Sequence, residues 1–133
     1  MTPTDDSYDL NLAAAALRSN STDLRLLLKA LSQELADTLG DRLRVQRGGG
    51  RFKKSDVISS LQINLANNQF EAVMEGSDLR CTIGRFSGGI RIRNETVDVN
   101  VWILKLLEAL QAEAAHSDSA RQALENLVIG GTT

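Results

Sequence analysis

A basic glycine-rich loop is the first segment of this chain whose residue types and spacing suggest chemistry. Residues 48–55 read G-G-G-R-F-K-K-S and differ at one position from the phosphate-binding loop G-x-x-x-x-G-K-S. Lys53 stands where that motif requires its second glycine, which allows the backbone to wrap around the phosphates. Ser55 also leads into a predicted strand, whereas the motif requires a helix. The pattern therefore predicts a solvated hairpin loop rather than a nucleotide-hydrolysing site.

Basic side chains form the second candidate site, because they are concentrated in the middle of the chain. Those of the loop are expected to contact phosphate or an acidic partner. The predicted strand pairing places further arginines side by side on an open sheet face, where their repulsion favours an anion between them. The alternative is that Glu75 and solvent satisfy these arginines. The candidate anion or partner patch consists of Arg47, Arg51, Lys53, Lys54, Arg80, Arg91 and Arg93.

Possible nucleophiles and metal ligands are few. Cys81 lies between Leu79 and Ile83 on an apolar strand face, which predicts a buried structural cysteine. His116 is followed by Ser117, but neighbours in sequence rarely adopt the geometry of a catalytic triad, and Ser117 is better placed to cap a helix. A single cysteine and a single histidine exclude a Cys/His zinc site and an intrachain disulfide. We therefore expect no catalytic residue, no metal, no cofactor and no enzyme activity.

Length and charge set the broader limits. A chain of 133 residues is expected to form a single domain, residues 1–133. The formal net charge of −2 excludes a uniformly basic protein, but residues 1–41 carry −4, residues 42–93 carry +6 and residues 94–133 carry −4. The acidic N-terminal residues lack a signal-peptide pattern, and no apolar run is long enough to cross a membrane. These features predict a cytoplasmic protein with no membrane partner.

The hydrophobic periodicity divides the chain into the elements that must position these residues. Residues 1–8 are expected to be a disordered tail, 9–40 to be helical, 42–93 to form an antiparallel meander and 97–129 to be helical. Helix caps are predicted at Ser21 or Thr22, at Asp98 or Asn100, and at Ser117, with helix ends at Gly40 and Gly130. A short strand over Val97, Val99 and Val101 is the alternative to a helix that begins there.

Strand register follows from the turn residues of the meander. Turns at 67–68, 77–78 and 86–87 place every apolar residue on one face, whereas a shift by one residue would break this pattern. The face of the second strand then consists of Val57, Ser59, Leu61, Ile63 and Leu65. The predicted opposite pairs are Leu65 with Phe70, Ile63 with Ala72, Met74 with Cys81, Ile83 with Ile90, and Cys81 with Ile92. On the other face, Arg80 is expected beside Glu75 and Arg93, and Thr82 beside Arg91.

The sequence thus predicts the α+β class, as a two-layer sandwich in which a four- to five-stranded antiparallel meander packs N- and C-terminal helices on one face. The layer order and size are similar to those of small acidic secretion chaperones, although no residue motif carries that similarity. Spare apolar residues on the helices, Leu26, Ile103 and Leu104, favour self-association. We expect a non-enzymatic intracellular interaction module, chaperone- or adaptor-like, that binds a protein partner or a second copy. The alternatives are nucleic-acid binding through residues 42–93 and, less favoured, a small anionic ligand bound by Arg80, Arg91 and Arg93.

Overall fold

The computed structural model describes residues 10–20, 24–47, 58–76 and 78–132. The helices and strands are α1 (Leu10–Asn20), α2 (Leu24–Leu39), a 3-10 turn (Gly40–Arg42), β1 (Leu43–Arg47), β2 (Ile58–Leu65), β3 (Asn68–Glu75), β4 (Asp78–Ser87), β5 (Ile90–Val97), α3 (Val99–Ala114) and α4 (Asp118–Thr132). In this part of the chain no helix has the length and apolar character needed to cross a membrane.

The strands form a single antiparallel sheet in the order β1-β2-β3-β4-β5, which confirms the predicted meander and the α+β class. Helices cover one face of this sheet. α2 contacts β1 and β2, α3 contacts β2, β3 and β4, and α4 packs against the other three helices. The α3 helix thus lies over the inner face of β2, β3 and β4, whereas β5 forms the margin of the sheet.

The core lies between the sheet and α2 and α3. The ring of Trp102 meets that of Phe70 edge-on, with centroids 6.2 Å apart and an interplanar angle of 78°. Its indole Nε1 donates to the carbonyl oxygen of Thr82 at 3.2 Å, so the buried N–H has a partner. The α2 helix buries a leucine stripe in this core, formed by Leu27, Leu28, Leu31, Leu35 and Leu39.

Helix ends follow the predicted capping residues at most positions. Asp98 caps α3 by accepting a hydrogen bond from the backbone N–H of Asn100 at 3.0 Å, and Ser117 caps α4 by accepting one from Ala120 at 3.3 Å. Gly40 follows α2 with φ +55°, a conformation that glycine adopts without strain. The predicted helix end at Gly130 is wrong, because α4 continues to Thr132. The caps predicted at residues 21 and 22 lie outside the described residues.

The predicted registers of β2, β3 and β4 are wrong by two residues. Leu65 pairs with Asn68 rather than Phe70, so the turn is formed by residues 66–67, where Ala66 has φ +51°. Glu75 likewise pairs with Asp78. Because side chains alternate with a period of two, a shift of two residues retains the buried face. The observed pairs include Ile63 with Phe70, Leu61 with Ala72, Phe70 with Ile83, and Ala72 with Cys81.

The predicted register of β4 and β5 is wrong by four to five residues. Gly88 and Gly89 both have positive φ and form the turn, whereas the predicted register centres it on residues 86–87, and β5 continues past the predicted end at Arg93 to Val97. A bulge on β5 changes the pairing within the hairpin, because Arg85 pairs with Arg93 and Phe86 with Arg91, which leaves Ile92 without a partner on β4. Cys81 therefore pairs with Val97 rather than with Ile92.

One smaller prediction also fails, and one open alternative is decided. At the start of β2 the buried residue is Ile58, whereas Ser59 was expected on the buried face. The pairing of β2 with β1 is irregular beside Gln46, and the hydroxyl of Ser59 donates to the carbonyl oxygen of Gln46 at 3.1 Å. Val57, which was expected on the buried face, lies outside the described residues. The alternative left open at residues 97–101 is decided in favour of the helix, because β5 ends at Val97 and α3 begins at Val99.

Candidate functional site

The arginines of the predicted patch lie at two ends of the sheet. Arg47 is the last residue of β1 and lies at one end of the sheet. Arg80 of β4, which pairs with Val73 of β3, lies near the same end. Arg91 and Arg93 lie at the other end, where β5 begins. The predicted proximity of Arg80 to Arg93 is therefore wrong, because the register of β5 differs from the expected one. Arg51, Lys53 and Lys54 lie outside the described residues.

Arg80 has the partner that the sequence suggests. Its Nε lies 3.3 Å from Oε2 of Glu75, and both side chains are exposed over about half of their surface, at 56% and 52%. The predicted proximity of Thr82 to Arg91 is wrong, since Thr82 pairs with Thr96. Arg80 is thus an ion-paired surface residue rather than part of an arginine cluster.

Arg91 extends across the open face of the sheet. Its Nη2 donates to Oε1 of Gln69 at 2.6 Å, and the Nε2 of Gln69 donates to Oδ1 of Asn64 at 3.1 Å. The guanidinium also lies 5.1 Å from the centre of the Phe86 ring, within the range of a cation–π contact. The guanidinium also passes over Gly84, where a β-carbon would lie in ordinary van der Waals contact with it, at 3.5 Å from Cζ of Arg91. Groups of the chain itself therefore hold Arg91.

Arg85 and Arg93 form an arginine pair on the helix-covered face. They are direct partners on β4 and β5, an arrangement that is destabilising for like charges. Both line a cavity of about 550 Å³, which we call the arginine cavity, beside Lys105 of α3. Its floor is apolar, with Phe70, Ile83 and Val97 among its lining residues.

The arginine pair lacks an internal counterion. Within the described ranges, neither guanidinium has a hydrogen-bond or ion-pair partner, and the carboxylate of Glu95 has none either. Lys105 is within 3.8 Å of Glu108 on its own helix. An acidic group brought to this cavity would therefore meet two guanidinium groups that form no direct ion pair in the described chain, beside the carboxylates of Glu95 and Glu108, which also line the cavity.

The outer edge of β5 completes the candidate site, which we call the β5 edge. β5 is the last strand of the sheet, so among the described residues one side of its backbone has no neighbouring strand. Every residue from Ile90 to Thr96 is exposed, including Ile90 at 69% and Ile92 at 62%. A second cavity of about 550 Å³ adjoins the strand and shares Arg85 and Arg93 with the arginine cavity. Exposed apolar side chains, unpaired cations and unpaired backbone groups thus meet at one sheet edge.

Sequence reasoning missed the partnership of Arg85 with Arg93 and expected Ile90 and Ile92 in the core. The signal that could have revealed both errors is the dipeptide Gly88-Gly89. Two consecutive glycines favour the two-residue turn with positive φ at both positions, and that turn places the hairpin where the structure has it.

The residues that the sequence analysis considered as possible nucleophiles or triad members lie away from the β5 edge. Cys81 is 1% exposed, which confirms that it is buried, and burial together with the nearby charge of Asp98 raises the pKa of its thiol to about 12. His116 is exposed in the turn between α3 and α4, where its backbone N–H donates to the carbonyl oxygen of Glu113 at 3.0 Å. Ser117 is engaged as the helix cap described above.

The spare apolar residues of the helices have different surroundings. Ile103 is fully buried in the core, so it is not available to a partner. Leu104 lines a groove of about 720 Å³ between α1 and α3, together with Ala14, Ala15 and Val101. Leu26 is 54% exposed. The helix surface therefore offers one groove and isolated apolar residues, without the unpaired backbone of the β5 edge.

No protein family, curated protein or solved structure matches this chain.

Proposed function

We propose that this protein is a non-enzymatic interaction module, adaptor- or chaperone-like, that binds an extended protein segment as an additional strand on β5. The observation that carries the proposal is the open β5 edge, eight residues long and bearing exposed Ile90 and Ile92. An edge strand presents a row of unpaired N–H and C=O groups, which is a template for another extended chain. Backbone hydrogen bonds would supply affinity, and alternate side chains would supply selectivity.

The arginine pair defines the chemistry of the bound segment. Arg85 and Arg93 are opposite each other on β4 and β5. A residue of the bound segment that pairs with Arg93 would point to the same face of the sheet as both arginines, with Arg93 between it and Arg85. An acidic residue at that position would offset the repulsion between the two guanidinium groups. The preferred segment is therefore extended, with an acidic side chain on the helix side and β-branched or apolar side chains that contact Ile90 and Ile92.

The opposite margin of the sheet is a poorer site. β1 is five residues long, and its exposed positions are Arg44, Gln46 and Arg47. Short strands with charged side chains are a common protection against unwanted strand pairing. β5 is longer and presents two exposed isoleucines, so we assign the interaction to β5.

The test is an NMR titration with a capped synthetic peptide of alternating valine and glutamate. We expect the largest shift changes, and slower amide exchange, along β5. Arg93→Glu should weaken binding about tenfold or more, because it replaces an attractive charge pair with a repulsive one. The matched control is Arg80→Glu, which makes the same charge change at the other end of the sheet and should leave the affinity within about threefold.

Two results would contradict this proposal. One is an affinity that Arg93→Glu and Arg80→Glu reduce equally, since binding would then reflect overall charge. The other is a set of shift changes centred on Ala15 and Leu104, which would place the peptide in the groove between α1 and α3. Two-dimensional spectra of each variant establish that it is folded.

A further inference from the structure

We infer that the extended segment that pairs with β5 is the β5 strand of a second copy of this chain, in antiparallel register centred on Asn94. This inference rests on the proposed function and names its partner. Two copies related by a two-fold axis would present the same strand to each other, as in most symmetric dimers. Their two sheets would join into a continuous sheet across the new strand pair.

The charges of β5 are self-complementary in this register. With Asn94 opposite Asn94 of the second copy, Arg93 lies opposite Glu95 of the second copy, and the two-fold axis repeats that pair. Arg93 and Glu95 both line the arginine cavity, so both lie on the helix-covered side. Each of these two side chains lacks an ion-pair partner within the described part of one chain. The second copy would therefore place a carboxylate directly opposite Arg93, which forms no direct ion pair within the described part of one chain.

The neighbouring registers are less favourable. Pairing centred on Ile92 places Arg91 opposite Arg93, and pairing centred on Arg93 places that arginine opposite itself. Pairing centred on Glu95 opposes two carboxylates. Like charges directly opposite each other are destabilising in antiparallel pairs, whereas the register centred on Asn94 contains two attractive pairs.

The open face of the sheet is compatible with the same register. Ile92 would lie opposite Thr96 of the second copy, and β-branched residues pack well on a pleated surface. Ile92 is 62% exposed in the single chain, so this contact would remove apolar surface from water. Directly opposite residues of antiparallel strands point to the same face, so the helices of both copies would lie on the same side.

The experiment exploits the symmetry of the two charge pairs. Arg93→Glu alone creates two Glu–Glu pairs in a homodimer, and Glu95→Arg alone creates two Arg–Arg pairs. Each variant should dimerise about tenfold or more weakly than the wild type in sedimentation equilibrium at low salt. An equimolar mixture of the two variants restores two opposite-charge pairs, so it should form a heterodimer with an affinity within about threefold of the wild type. Arg80→Glu serves as the control and should remain a dimer.

The outcomes separate this inference from the proposed function. A wild-type protein that stays monomeric at millimolar concentration, but binds the acidic peptide on β5, overturns self-pairing and leaves the strand-addition proposal intact. A wild-type dimer whose two variants fail to associate when mixed overturns the Asn94 register. If neither the peptide nor a second copy changes the β5 resonances, both proposals fail. Circular dichroism of each variant before mixing shows whether a lost dimer reflects a lost fold.

Discussion

Arg93 shows how strongly the environment of a single residue depends on strand register. Under the predicted pairing it lies on the open sheet face beside Arg80, whereas in the structure it pairs with Arg85 and lines the arginine cavity. Its residue type and its position on a strand are the same in both cases. The difference is a shift of four to five residues in the pairing of β4 with β5, together with a bulge that reverses the face of part of β5.

Cys81 carries a prediction at the same scale. Its folded-state pKa of about 12, against a reference value of 9.0, implies about a thousandfold lower thiolate fraction at pH 8 than in the unfolded chain. Because the thiolate is the reactive species, we expect no measurable labelling by a thiol-specific reagent in the native protein at pH 8. One thiol per chain should react after unfolding in guanidinium chloride. Rapid labelling of the native protein would contradict the buried, neutral thiol.

The same pKa shift sets a pH dependence of stability. Folding raises the pKa, so the folded state favours the protonated thiol, and this contribution to the free energy of unfolding is fully present below pH 9. It should be lost as the pH rises from 9 towards 12. Comparison of wild type with Cys81→Ala isolates the effect, because the substituted chain lacks the titrating group.

At the scale of elements, a period-two pattern identifies strands and faces but leaves even-numbered register shifts unresolved. The observed pairing of Ile63 with Phe70 and the predicted pairing of Ile63 with Ala72 bury the same face. The choice between them depends on packing against the helices, where Phe70 meets the ring of Trp102. Sequence therefore predicted the buried residues at the centre of β2 and β3, namely Leu61, Ile63, Leu65, Phe70 and Ala72, and tertiary packing selected their partners.

The ion pair between Arg42 and Glu113 connects the turn after α2 to α3, over a separation of 71 residues in sequence. The Nη1 to Oε2 distance is 3.0 Å, and Glu113 is 8% exposed. Arg42→Ala would leave a buried carboxylate without its partner, so we expect the free energy of unfolding to fall by about 2 kcal/mol in urea denaturation.

An exposed pair provides the control for this prediction. Arg121 lies 2.9 Å from Asp118 on α4, and both side chains are well exposed. Arg121→Ala should therefore change the free energy of unfolding by no more than about 0.5 kcal/mol. Equal effects of Arg42→Ala and Arg121→Ala would show that burial of Glu113 contributes little to the strength of its ion pair.

At the scale of the whole molecule, the fold separates most of the basic side chains of the described sheet into two groups at its ends, with Arg44 of β1 between them. Arg47 and Arg80 lie at one end, and Arg85, Arg91 and Arg93 lie at the other. Within these groups, Arg80 is paired with Glu75, and Arg91 is bound to Gln69. A long polyanion would need to span both ends to use every arginine.

This separation leads to a prediction about the competing function, nucleic-acid binding through residues 42–93. We expect no shift of duplex or single-stranded DNA or RNA at low salt, where electrostatic binding is strongest. A salt-dependent shift that is lost in Arg51→Ala/Lys53→Ala/Lys54→Ala would favour the nucleic-acid function instead. Binding to heparin on a column is a suitable comparison, because it reports net electrostatics without base contacts.

The sequence by itself determined the element order, the central buried face of β2, β3 and β4 and most helix caps, because these depend on local periodicity and on side chains close in the chain. Asp98, Ser117 and Gly40 lie where their local chemistry predicts. Only the tertiary structure decided which strand residues face each other, and hence that Arg93 meets Arg85 on an open sheet edge. That outcome depends on a glycine turn, a bulge and the packing of α3, which act together over distances that no single sequence window contains.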